Sequence, residues 1–269
     1  MKMFELPDIR IPADMSADEM PDLLRYWYAG SRARRHMMLR RFREVDVEVA
    51  PGTSVRVLDI GSAWGYNVMA LSMLGARVVG MDVVADPFAV GSRIARANGL
   101  DFPMIAADAA AIPFGEGEFD AVTMVETFEH VFAPDRGKVL AECRRVLRPG
   151  GRLVLSTPNY GGLVERLKRA VVRMPWARRR LPTMCYPADG VERVQYHPYR
   201  YHRPDPVPEI VERLEHAGFN MLKKKYFLFV LKSASDRSYP VLARAERALE
   251  RTPGIRRLAA TVCIVAGKA

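Results

Sequence analysis

Val55 to Val84 reads VRVLDIGSAWGYNVMALSMLGARVVGMDVV, and no other stretch limits the fold so closely. An apolar, β-rich run carries Asp59 near its end, a small-residue turn follows through Gly61 and Gly65, helical spacing runs from Tyr66 to Leu74, and a second β-rich run ends at Asp82. Strand, helix and strand in so short a span require a crossover, which makes the two strands parallel members of one sheet. The outline is that of a nucleotide-binding unit, with the turn at the helix N-terminus as the ligand's contact.

The glycines do not suit a dinucleotide. A pyrophosphate fingerprint needs G-x-G-x-x-G, and those positions here are Gly61, Ala63 and Tyr66. An aromatic stands where helix and strand must pack closely. Asp59 lies two residues before the first glycine, where a carboxylate would repel a diphosphate and suit an ammonium. Asp82 ends the next strand, the place from which an acid grips a ribose diol. The implied ligand is a nucleoside with a cationic tail, and S-adenosylmethionine is such a molecule.

The rest of the chain extends the alternation. FPMIAAD, EFDAVTMV and GRLVLSTP read as further strands, and Pro87–Ala97 and Arg136–Leu147 as helices, the latter closed by RPGG. PVPEIVERLEHAGF gives an amphipathic helix with Val207, Ile210, Val211 and Leu214 on one face and Gly218 as its stop. Two more strands, FNMLKKKYFLFVLK and AATVCIVAGKA, flank a basic helical segment. Near the start, Ser16 and Glu19 form a capping-box pattern that predicts a long helix running into the first strand.

These segments together resemble the class I S-adenosylmethionine-dependent methyltransferases, in particular the small-molecule branch that includes the ubiquinone and menaquinone biosynthesis methyltransferases. VLDIGSAWGYNVMAL is similar to the family's first motif, with Ala63 in place of its middle glycine. VVGMDVV, AADAAAIPFGEGEFDAV, TMVETFEHV and LRPGGRLVLSTPN follow in the family's order and spacing. The resemblance implies a Rossmann-like α/β fold: a doubly wound, mostly parallel seven-stranded sheet with the last strand antiparallel, an N-terminal helix, and a helical insertion after the fifth strand. It divides the chain into an N-terminal helical cap (1–50) and a methyltransferase domain (51–269) with a substrate or lid insertion at 159–206.

It also implies site residues. The cofactor set is Asp59, Gly61, Ser62, Ala63, Gly65, Asp82, Val83, Asp108, Ala109 and Val125, with Asp108 meeting the adenine amino group and Asp59 acting indirectly. Trp64 and Tyr66 either pack or touch the ligand. The fourth motif lines the reacting centre, so Glu126, Glu129 and His130 are the catalytic candidates, with His130 either a general base or a structural histidine. Tyr26, Tyr196, His197, Tyr199 and His202 are the substrate-binding candidates. O-methylation of a small or lipid-linked acceptor is the implied reaction.

Composition narrows the alternatives. Three cysteines without C-x-x-C spacing, Cys143, Cys185 and Cys263, exclude a disulfide framework or zinc motif, so no metal is assigned and a reducing cytoplasm is expected. The formal net charge of +10 raises the prospect of a polyanionic partner. An RNA methyltransferase is therefore one alternative, although N-P-P-Y, D-P-P-Y and a Pro-Cys nucleophile are all missing; a cofactor-binding scaffold without turnover is another. The charge gathers in SRARRHMMLRRFR and RLKRAVVRMPWARRR. In the second run Leu163, Leu167, Ala170, Val171 and Met174 share a helical face among Arg166, Arg169 and Arg173. That helix is either a lid packed on the domain or a contact with an anionic membrane surface at the inner face. On the lid reading Tyr186, Tyr196, His197, Tyr199, Tyr201 and His202 line an aromatic pocket.

Overall fold

The structure, a computed structural model, describes residues 8–16, 19–20, 25, 31–49, 52, 54–174, 197–198, 200–230 and 234–269. Its elements in chain order are α1 (Arg32–Val49), β1 (Arg56–Ile60), α2 (Tyr66–Met73), β2 (Arg77–Asp82), α3 (Phe88–Ala97), β3 (Met104–Ala106), β4 (Phe119–Val125), α4 (Arg136–Val146), β5 (Leu147–Pro158), α5 (Leu163–Val172), α6 (Val207–His216), β6 (Phe219–Phe227), α7 (Tyr239–Arg251) and β7 (Thr261–Lys268). The strands form one sheet in the order β3-β2-β1-β4-β5-β7-β6. β1 to β5 are parallel, and β7 runs antiparallel to both β5 and β6, as the sequence implied.

Alternation along the strands sends side chains to two cores. Leu58, Val122, Met124, Leu153, Leu155 and Ile264 meet Val139, Leu140 and Val146 of α4 and Ile210 and Leu214 of α6. Val57, Ala121, Val154, Cys263 and Val265 face Met37, Val45 and Val49 of α1 and Val68 and Leu71 of α2. Both layers are almost wholly buried. The strand order reverses between β1 and β4, so the crevice for a ligand opens at their carboxyl ends.

The long helix expected to open at the capping box falls on residues 17–30, most of which lie outside the described residues. Ser16 and Glu19 do make the reciprocal capping-box bonds, at 2.7 and 3.3 Å. Helix α1 begins at Arg32, where Ser31 supplies a cap to the Arg34 N–H at 3.4 Å. The basic run of α1 turns inward. Arg40 bridges Glu44, Glu246 and Glu250, Arg35 pairs with Asp8, and Arg41 pairs with Glu126. Much of the charge that raised a polyanionic partner is thus spent on fastening α1 to α7 and to the β4 end. Cys143 and Cys263 are buried free thiols, while Cys185 and Trp176 lie outside the described residues.

α5 is inverted relative to a lid packed by its apolar face. Leu163, Leu167 and Met174 are exposed, whereas Glu165 is buried and pairs with Lys168 at 2.5 Å. Arg169 stacks over Tyr160, 3.8 Å from the ring centre. No helix among the described residues is long and apolar enough to cross a membrane.

Candidate active site

The turn after β1 is built around positive φ angles at Gly61, Ala63 and Gly65. Gly61 cannot be replaced cheaply, because a Cβ there would lie 2.2 Å from the Thr127 hydroxyl at the end of β4. The close approach of the two strand ends explains the glycine without a pyrophosphate. Gly61 and Ser62 donate to the Met81 carbonyl at 2.8 and 3.1 Å, and Gly65 donates to Ser62 at 2.7 Å.

Asp82 locks this turn. One carboxylate oxygen accepts the Ala63 N–H at 2.9 Å and the other the Val84 N–H at 3.0 Å. Burial pushes its pKa up, and the N–H groups of Val84, Ala63 and Val83 oppose that. The Ala63 and Val84 bonds occupy one acceptor site on each oxygen. Val83 is exposed, Ala109 and Val125 are half-buried, and exposed Asp108 accepts the Ala110 N–H at 2.9 Å.

Asp59 is different in kind. It is 2% exposed and accepts from Thr123 Oγ1 at 2.6 Å and Asn67 Nδ2 at 2.7 Å, joining β1, β4 and α2. Burial raises its pKa to about 6, against the bonds from Thr123 and Asn67 and with a smaller push from Asp82. It positions the turn from below. Trp64 and Tyr66 are core residues, 5% and 2% exposed and packed edge to face at 5.6 Å.

Across the crevice, Glu126 holds a left-handed φ of 51° immediately after β4. A non-glycine residue there is strained and needs surrounding contacts to hold it. One of its carboxylate oxygens pairs with Arg41 at 3.1 Å; burial pushes its pKa up, against the Arg41 charge and a hydrogen bond from the Ser156 hydroxyl. Glu129 is 1% exposed and accepts from Thr157 Oγ1 at 3.0 Å. Burial, then the neighbouring Glu126 charge, pushes its pKa up to about 8.

His130 Nδ1 lies 2.6 Å from the Tyr201 carbonyl and 3.0 Å from that of Pro198. Two carbonyls cannot donate, so Nδ1 carries the proton and Nε2 the lone pair of the neutral ring. Burial lowers the pKa of His130. The His202 ring stands edge-on to it at 5.1 Å, its pKa pushed down to about 3 by burial and then by His130. One donor atom each of Glu129, His130 and His202 lies within 4.8 Å of the others.

The structure therefore brings His202 to the fourth motif and leaves His197 exposed in the turn that supplies Tyr201 and Arg200 with a backbone acceptor. Tyr201 is buried, and its hydroxyl accepts the Ala133 N–H at 3.3 Å, so it belongs to the framework and not to a pocket wall. Tyr26, Tyr186, Tyr196 and Tyr199 lie outside the described residues.

Sequence reasoning missed Arg136. This arginine is fully buried, forms an ion pair with Asp205, and donates to the carbonyls of Val131, Glu129 and Arg203. It fastens the 128–135 turns to the 203–205 segment, and so holds His130 beside His202. Its only sequence signal was a charge at a helix start where an acid is usual.

Residues 58–155, from β1 to β5, match the methyltransferase domain family. That segment is similar to a methyltransferase domain. The demethylmenaquinone methyltransferase of Thermus thermophilus is 42% identical over 135 residues, covering 48% of this chain and 59% of that protein. The ubiquinone biosynthesis O-methyltransferase of Thiobacillus denitrificans is 38% identical over 123 residues, covering 44% and 50%. The chain thus spans about half the length of the curated relatives it matches.

Among solved structures, the 1,6-didemethyltoxoflavin-N1-methyltransferase of Burkholderia thailandensis, solved with S-adenosylhomocysteine, superposes with a TM-score of 0.55 at 18% identity, covering 91% of this chain and 82% of that one. A SAM-dependent methyltransferase from Methanosarcina mazei gives 0.59 at 17%, covering 82% and 96%. Both share the Rossmann-like methyltransferase fold.

Proposed function

We propose that this protein uses S-adenosylmethionine to methylate an oxygen of a small, lipid-linked acceptor of the quinone-precursor type. The observation that carries the reading is Asp82 at the end of β2, held by two backbone N–H groups behind the Gly61–Gly65 turn. Asp108, exposed at the next strand end, and half-buried Ala109 suit an adenine edge and face. The described residues fit the cofactor, since no diphosphate cradle is present in the turn and an acid framework surrounds the site of a cationic tail.

When bound, S-adenosylmethionine supplies a methyl group activated by a positive sulfonium. The chain's residues do the rest. Gly61, Ser62 and Ala63 shape the floor, Val83 and Val125 exclude water from the sides, and Asp59 keeps the turn in place through Asn67 and Thr123. An acceptor hydroxyl loses its proton at the cluster of Glu126, Glu129, His130 and His202, where positioning within reach of the methyl is most of the catalytic effect.

Residues 1–50 act as a cap on the domain 51–269, a reading supported by the Arg41–Glu126 ion pair. Within the insertion at 159–206, exposed Leu163, Leu167 and Met174 among Arg166 and Arg173 suit an anionic membrane surface that delivers the acceptor at the inner face. The test is turnover. The protein is incubated with donor carrying a deuterated methyl group and with polyprenylated catechols or demethylmenaquinone, and products are analysed by mass spectrometry. A labelled methyl ether supports the reading, a labelled ring carbon shifts it to C-methylation, and no product with any acceptor overturns it.

A further inference from the structure

α5 is held in one roll by its neighbours. Asn159 Nδ2 donates to the Arg257 and Ala259 carbonyls at 2.9 and 2.8 Å, and a Cβ at Gly162 would lie 2.3 Å from the Ala259 oxygen, so the helix starts hard against the 255–258 turn. Arg169 fixes the roll by donating to the Tyr160 carbonyl at 2.7 Å while stacking on that ring. Leu163 and Leu167 then face outward and Glu165 inward.

We propose that Glu165 is a substrate-binding residue of the reacting centre, its Oε2 accepting a hydrogen bond from a hydroxyl of the acceptor other than the one methylated. This role rests on the function proposed above and extends the fourth-motif cluster by a residue of the insertion.

Three observations carry the assignment. Glu165 is 2% exposed, and while Oε1 pairs with Lys168, Oε2 is buried without a hydrogen-bond partner. Buried carboxylate oxygens are ordinarily satisfied, because a bare one has lost its water and gained nothing in return. A carboxylate paired with an ammonium only accepts, so whatever completes Oε2 has to be a donor.

The second is position. After burial, Arg41 and the Ser156 hydroxyl, the charges of Glu165 and then Lys168 act on Glu126; after burial and His130, Lys168 acts on His202. Glu165 therefore stands beside the fourth motif. α5 leaves the end of β5, and β4 separates β5 from the β1 strand whose turn suits the cofactor, so the missing donor belongs to the acceptor.

The third is how the neighbouring acids are served. Arg41 and the Ser156 hydroxyl supply Glu126, and the Thr157 hydroxyl supplies Glu129. Among the described residues Glu165 has only Lys168, on its other oxygen. The reacting hydroxyl gives its proton at the cluster of Glu129, His130 and His202, and a second hydroxyl held at Glu165 fixes which oxygen faces the methyl. A site built to bond a hydroxyl also rejects the analogue that lacks it, since its own buried group is then left unpaired.

The experiment is calorimetric titration of the full chain, saturated with S-adenosylhomocysteine, with a prenylated catechol and with the matching prenylated phenol that lacks the second hydroxyl. Wild-type protein should bind the catechol about 10- to 100-fold more tightly, the worth of one charge-assisted hydrogen bond. Glu165→Gln should weaken catechol binding by a similar factor and leave the phenol and S-adenosylhomocysteine affinities unchanged, so that the preference collapses.

Equal affinity of wild-type protein for the two probes, or binding of neither, overturns the role of Glu165 whether or not the variant folds. So does Glu165→Gln protein with a native circular dichroism spectrum that keeps the preference or loses both affinities equally, the second being the pattern of a structural carboxylate. Methyl-ether formation in the turnover test without a catechol preference removes this role alone; a catechol preference that Glu165→Gln abolishes, without turnover of any acceptor, removes the proposed function and leaves the binding site.

Discussion

Gly91 sits inside α3, where an alanine is ordinarily favoured by about 1 kcal/mol through helix propensity. The packing opposes this. A Cβ at Gly91 would lie 2.2 Å from the Trp64 carbonyl oxygen and 2.9 Å from its carbon, both backbone atoms of the turn that Asp82 holds. Ordinary contact is about 3.5 Å, so helix or turn has to retreat by roughly 1 Å. Over-packing of this kind costs about 1–3 kcal/mol, and a backbone obstacle puts it at the upper end. Gly91→Ala is therefore expected to lose about 1–2 kcal/mol net, and to weaken S-adenosylhomocysteine binding by up to about 100-fold through displacement of the turn. Gly137, a helical glycine of α4 with nothing within 4 Å of its Cβ position, is the control, and Gly137→Ala should gain stability. Urea unfolding and calorimetry read both effects. If Gly91→Ala stabilises the protein as Gly137→Ala does and leaves the affinity alone, the close packing of α3 on the turn does not govern the site.

Asp82→Ala removes two acceptors for hydroxyls, each worth about 1.5–3 kcal/mol when charge-assisted, so calorimetry should show at least a tenfold loss of S-adenosylhomocysteine affinity; unchanged affinity in folded protein contradicts the assignment. Asp46, fully buried on α1 with neither carboxylate oxygen hydrogen-bonded, has its pKa pushed well up by burial and then by Asp59. Because the folded value lies above the unfolded one, its contribution to stability is complete below about pH 4 and is lost as pH rises toward the folded value. Asp46→Leu should thus stabilise the protein by about 1–3 kcal/mol at pH 8 and by less at pH 5, and an equal effect in urea unfolding at both pH values defeats this reasoning. In sedimentation with liposomes, anionic vesicles should retain the protein at low salt and neutral ones should not, with binding lost when Leu163 and Leu167 become Asp; no binding at low salt excludes the membrane role of α5.

The sheet was legible because each strand between β1 and β5 ends in a residue that the fold needs there, and because the apolar period changes from two to three or four at each helix start. Arg136–Val146 and Phe88–Ala97 fall within a residue of the expected bounds for that reason. Other features were hidden by distance along the chain. Asp82 could be read as the end of β2, but its bond to Ala63 N–H depends on how the turn folds back. The burial of Glu165 and exposure of Leu167 reverse what α5's pattern suggests, since a buried glutamate paired with Lys168 decides the rotation of the helix. Likewise α1's arginines looked like a surface for polyanions until α7 supplied Glu246 and Glu250. His202 had no local signal at all, and only the clamp at Arg136 brings it to His130.

The turn after β1 is shaped for a nucleoside with a cationic tail and not for a dinucleotide. Calorimetric titration of the full chain with S-adenosylmethionine, S-adenosylhomocysteine and NAD distinguishes the two. Binding of one equivalent of each sulfur nucleoside, in competition with one another and with no heat from NAD, is the predicted result; NAD binding without binding of either sulfur nucleoside would contradict it.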